Sequence, residues 1–131
     1  MKPRRLITIG LLLFVVTLVA LPTLSELLTT RQQYEERVRA ATSALEVAYT
    51  VESKLLTLTI TSLASEDAAR RQEATPVIRL IPNSTAFPIE TVAVVFMRNG
   101  SVAKRMSVAY SDLQAFRAGR MSEADFLTRL R

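Results

Sequence analysis

Hydrophobic and polar positions divide the chain into three stretches with different periodicities. The first is an apolar run from Leu6 to Leu21, broken only by Thr8, Gly10 and Thr17. Carried on to Leu24 it has 19 residues and no charge, and as a helix it measures about 28 Å, close to the hydrocarbon thickness of a bilayer. Lys2, Arg4 and Arg5 precede it. By the positive-inside rule those bases keep residues 1–5 in the cytoplasm, which predicts a transmembrane helix over 6–24 and places the rest of the chain outside. The alternative is a signal peptide, whose cleavage would release a secreted or periplasmic binding module. No A-x-A pattern follows the run, and this favours an uncleaved anchor.

The second stretch, Thr23 to Thr75, contains neither glycine nor proline. With both common breakers absent, the pattern predicts a long helical stalk over 25–75. A seam at alternating spacings of four and three runs through Leu27, Arg31, Tyr34, Val38, Ala41, Leu45, Ala48, Glu52 and Leu55, which is coiled-coil spacing interrupted by two charges. Residues 55–63 fit two periods. Leu56, Leu58 and Ile60 alternate with threonines as in a strand, while Leu56, Ile60 and Leu63 fit a helical stripe. The reading adopted is helix through about residue 72.

The third stretch, 76–131, reads as a small α+β head. Pro76 is expected to end the helix, Val77–Ile81 to form a short strand, and residues 82–88 to form a loop. Asn99-Gly100 between Val92–Arg98 and Ser101–Tyr110 is the favoured pair for a type I′ hairpin, since both central residues need positive φ. Regular pairing then sets Met97 opposite Val102, Phe96 opposite Ala103, Val94 opposite Arg105 and Ala93 opposite Met106. The first strand is apolar on both faces and is expected to be central; Lys104-Arg105 mark the second as an edge. Ser111 and Ser122 are placed to cap helices over 112–118 and 123–130, with Gly119 as the left-handed stop between them.

The tail from 111 to 131 resembles the SHOCT family of short C-terminal helical hairpins. Leu113, Phe116, Arg117, Gly119, Met121, Ser122, Glu123, Asp125, Phe126 and Arg129 carry the resemblance, with Asp125 where that pattern usually has Glu. It implies a role in oligomerisation or attachment rather than catalysis.

Composition narrows the chemistry. There is no Cys, His or Trp, which removes zinc sites, iron–sulfur clusters, thiol nucleophiles, His-based triads and disulfides. The three glycines are Gly10, Gly100 and Gly119, so no phosphate-binding glycine loop exists. No acid pair forms a recognisable catalytic constellation. The expectation is a non-enzymatic protein with no cofactor, no metal and no small-molecule substrate.

The net charge of +5 comes from the two ends: residues 24–90 carry seven bases and nine acids, residues 91–131 seven and three. No clustered basic surface with aromatics for stacking is evident, so nucleic acid is not expected as a partner. Membrane lipid is. An exposed apolar seam also needs a covering surface, because an isolated helix is marginal in water. Tyr34, Val38 and Leu45 are the candidate contact residues, toward protein partners or a second copy. The fold class predicted is α+β: one transmembrane helix continuing into a long helix, then a small antiparallel sheet and a helical hairpin. Its function is expected to be that of an assembly, scaffold or accessory subunit of a membrane-associated complex.

Overall fold

The computed structural model describes residues 30–84 and 87–131. The transmembrane helix expected over 6–24 lies outside them, and among the described residues no helix is long and apolar enough to cross a membrane. The chain divides into two compact units, Met1–Gln32 and Gln33–Arg131, and the second holds the sheet. Helix α1 covers residues 30–42. Next come β1 (Glu46–Thr50), β2 (Leu55–Thr61), α2 (Asp67–Arg79), β3 (Thr91–Arg98), β4 (Ser101–Ala109), α3 (Tyr110–Arg117) and α4 (Glu123–Arg129). The class is α+β, around one four-stranded sheet in the order β1-β2-β3-β4. That sheet is mixed rather than antiparallel: β1/β2 and β3/β4 pair antiparallel, and β2/β3 pair parallel through the α2 crossover.

The helix expected to run unbroken from 25 to 75 stops at Thr42. Ser43 takes a left-handed φ of 56°, its N–H returns to the Arg39 carbonyl at 2.9 Å, and the Thr42 hydroxyl donates to the Val38 carbonyl at 2.6 Å. A second non-glycine residue, Lys54 at φ 52°, closes the β1–β2 turn. Both reversals are made by residues that seldom adopt positive φ, so the missing glycines and prolines did not mark a continuous helix. Leu56, Leu58 and Ile60 are then core residues of a strand, with threonine on the other face, which settles the ambiguous period in favour of two.

Pro76 does not end a helix. It lies inside α2, and Val77-Ile78 complete the last turn rather than starting a strand. Glu73 anchors this helix to the chain leaving β2: its carboxylate accepts from the Ser62 hydroxyl at 2.7 Å and the Leu63 N–H at 2.9 Å.

The Asn99-Gly100 turn forms, with φ of 53° and 77°. Met97 faces Val102 as expected, but the register then slips by one: Phe96 faces Lys104, Val95 faces Arg105 and Val94 faces Met106. Ala103 is left unpaired as a β-bulge. The slip turns Met106 and Val108 toward the core, where they are 1% and 3% exposed. It also carries Lys104 to Asp67 at the start of α2, 3.4 Å away.

Helix α3 begins at Tyr110, with Ala109 rather than Ser111 before it and no side-chain cap. At its far end Gly119 has φ 75°, and the N–H groups of Gly119 and Arg120 bond the carbonyls of Phe116 and Ala115, a Schellman stop. Ser122 caps α4 by accepting from the Asp125 N–H at 3.2 Å. The hairpin closes through Phe116 stacked on Phe126, 4.6 Å between ring centres, and through Arg129 on Asp112 at 3.1 Å.

One core serves the whole unit. It contains Leu56, Leu58, Ile60, Val92, Val94, Phe96, Met106 and Val108 from the sheet, with Tyr34 and Val38 of α1, Ala74 and Ile78 of α2, Leu113 and Phe116 of α3, and Phe126 of α4. Every sheet residue in it comes from one side of the pleat. The described helices therefore all cover the same face, and the opposite face carries none.

Candidate functional site

The face that no described helix covers is built by the residues that alternate with the core set. The pairing registers line them up in rows: Glu46 faces Thr59, Thr59 faces Val95, and Val95 faces Arg105. This row crosses all four strands, about 14 Å between its end Cα atoms at the usual strand spacing. Below it lies a row of small side chains, Ala48, Thr57, Ala93 and Ser107. Above it Thr61, Met97 and Val102 continue the face. The surface is a shallow depression of about 290 Å³. Its middle is apolar or threonine, its two ends carry opposite charges, and Val102 is 62% exposed. Neither Glu46 nor Arg105 makes an ion pair among the described residues. An acid and a base about 14 Å apart on a flat apolar surface cannot act together on one bond, but they can set the orientation of a docked surface.

The other concentration of polar groups lies where α1, α3 and the segment after α2 meet. The Asn83 side-chain oxygen accepts from the Tyr110 hydroxyl at 3.0 Å, Gln114 Nε2 at 2.9 Å and Arg117 Nη1 at 3.2 Å. Arg117 Nη2 also donates to the Ile78 carbonyl at 3.0 Å and to that of Ile81. The guanidinium thus satisfies carbonyls at the C-terminal end of α2, where the helix dipole favours a cation. Tyr34 donates to the Pro82 carbonyl at 2.9 Å. Burial dominates the electrostatics here. It pushes the Tyr34 hydroxyl up to about 12, raises Tyr110, and lowers Arg117. Almost every donor is spent on the chain's own carbonyls, so this network holds the fold.

Two of the three candidate contact residues belong to the core. Tyr34 is 4% exposed and Val38 is fully buried, both against their own chain, whereas Leu45 is 57% exposed just before β1. The structure brings Tyr34 and Val38 together and leaves Leu45 apart. The sheet has β1 and β2 in addition to the hairpin expected, and with them it covers the α1 seam itself. Sequence reasoning missed Glu46, Thr59 and Arg105. The signal for Thr59 was the Leu-Thr alternation at 56–61, which on its own marks a strand with one less apolar face.

Among the described residues no group of three or more carboxylates is placed to hold a metal ion. No family model matches this chain, and no curated protein or solved structure aligns with it significantly.

Proposed function

We propose that this chain is a single-pass membrane protein whose extracytoplasmic domain is a non-catalytic assembly subunit, docking protein through the face of its sheet that no described helix covers. The observation that carries the reading is the one-sided architecture. Strand β3 is apolar on both sides, yet all the described helices pack on one of them. An open face with an apolar middle and charged rim has the anatomy of a protein contact. The membrane part of the reading rests on the uncharged Leu6–Leu24 run behind three bases, and the C-terminal helical hairpin suits attachment within a larger complex.

The test is made on the full chain in native membranes. It should resist carbonate extraction and keep its N-terminal residues, and Thr59→Arg should abolish its co-purification with partners at an unchanged thermal midpoint. A soluble form that begins near residue 26 would overturn the anchor. Co-purification untouched by Thr59→Arg would overturn docking through the sheet face.

A further inference from the structure

We infer that the occupant of the open face is a second copy of this chain, seated about a two-fold axis parallel to the strands. This rests on the reading that the face docks protein, and it names the partner. The charge order of one row points to that symmetry. Glu46, Thr59, Val95 and Arg105 are successive register partners across β1, β2, β3 and β4, so they share one level along the strand direction and point to one side. A two-fold axis running along the strands, midway between β2 and β3, reverses the row without shifting its level. Glu46 of each copy then faces Arg105 of the other, and Thr59 faces Val95. Both charges, without an ion pair among the described residues, are matched twice by one operation, as an isologous contact requires.

The central contacts suit two stacked sheets. Ala48, Thr57, Ala93 and Ser107 are small, and Thr59 and Val95 are β-branched, so two such faces can approach to the usual separation of about 10 Å. Val95, 6% exposed, lines the depression, and the side chains that stand exposed around it are Glu46, Ala48, Val102 and Arg105. Glu and Arg side chains are long enough to meet across the rim despite the twist between packed sheets. The face measures about 20 by 20 Å, some 400 Å² per copy, about half of what each partner buries in a standard specific interface. The dimer is therefore weak, and it depends on both copies being held in the same membrane, which raises their effective concentration.

The absence of cysteine from the chain makes the test clean. Full-length chains carrying Glu46→Cys and Arg105→Cys are reconstituted together in lipid vesicles and treated with a thiol crosslinker of about 10 Å, the distance between facing sheets. Dimers are expected from the mixture and far fewer from either variant alone. In chains carrying Thr59→Cys as reporter, Glu46→Arg or Arg105→Glu singly should shift the protein-to-lipid ratio for half-maximal crosslinking upward about tenfold, because each reversal creates two like-charge contacts. The double reversal should restore it, which a merely destabilising substitution would not do. Equal crosslinking in all pairings, or no rescue, overturns the two-fold dimer. If the face crosslinks only to a different protein in native membranes, self-association fails and the docking reading stands. If it crosslinks to nothing, both fail.

Discussion

Tyr34 on α1 donates its hydroxyl proton to the Pro82 carbonyl, 48 residues away in sequence, at 2.9 Å. This bond ties α1 to the segment that follows α2, and the ring beneath it is 4% exposed. Burial pushes the hydroxyl pKa up to about 12, with the neighbouring Tyr110 adding to the rise and Arg117 opposing it. The folded state thus holds its proton more tightly than the unfolded chain, whose tyrosine titrates near the ordinary value of about 10. The stability this contributes is fully present below pH 10 and is lost as pH rises through about 12. Thermal midpoints should stay level from pH 7 to about 9.5 and then fall. Tyr34→Phe should cost about 1 kcal/mol at neutral pH and flatten the alkaline decline. A midpoint that starts falling well below pH 9, or an unchanged decline in Tyr34→Phe, would contradict this assignment.

Arg117 is the guanidinium whose loss the fold should feel most. Its partners are the carbonyls of Ile78 and Ile81 and the Asn83 side chain; a truncated side chain takes its donor from all three, though the Ile78 carbonyl keeps the Ile81 N–H and Asn83 keeps Tyr110 and Gln114. Arg117→Met is expected to destabilise by about 2 kcal/mol, in the range for a hydrogen bond to a charged group. Arg117→Lys should recover less than half of that, since an ammonium keeps the charge without the planar fork. Urea midpoints of the three proteins check both values.

Ala103 is expected to be dispensable. Regular alternation after the Asn99-Gly100 turn would put Met106 and Val108 on the solvent face, and the bulge at Ala103 turns them inward instead. Deleting Ala103 removes the extra residue and leaves the pairs Met97–Val102, Phe96–Lys104 and Val94–Met106 as they are. The deletion should cost no more than about 1 kcal/mol, whereas a one-residue slip in an unbulged hairpin would expose both core side chains. A calorimetric scan of the deleted chain distinguishes the two: a cooperative transition close to the parent's, or none.

These residues also explain how far the fold was legible. Asn99-Gly100, Gly119 and Ser122 use the residue types that their backbone conformations favour, so the hairpin turn, the end of α3 and the start of α4 could be read directly. Ser43 and Lys54 occupy left-handed positions that glycine would normally mark, so the end of α1 and the β1–β2 turn left no trace, and two strands read as helix. The bulge at Ala103 has no residue signature and came from burial of Met106 and Val108. The candidate face was the least legible part. Its charged ends, Glu46 and Arg105, are ordinary surface residues until the strand order places them on one row.

Pro76 shows the converse error, a breaker overridden by its surroundings. It sits exposed inside α2, between the buried Thr75 and, two residues on, the fully buried Ile78. Proline there removes an intrahelical donor and crowds the carbonyl four residues before it, so packing must offset a penalty of about 3 kcal/mol. Pro76→Ala should stabilise the protein by about 1 kcal/mol or more, part of the gain being lost to a more flexible unfolded chain. An unfolding midpoint lower than the parent's would mean that the ring itself packs usefully.

The most direct measurement of the central claim compares photo-crosslinking from two single positions of the full chain in native membranes. One is Thr59, in the middle of the open sheet face; the other is Ala124, exposed on α4 on the helical side. Docking through the sheet predicts protein adducts from Thr59, including the chain's own dimer, and little or none from Ala124. Adducts from Ala124 with none from Thr59 would contradict it, and would move the docking surface from the sheet to the helices.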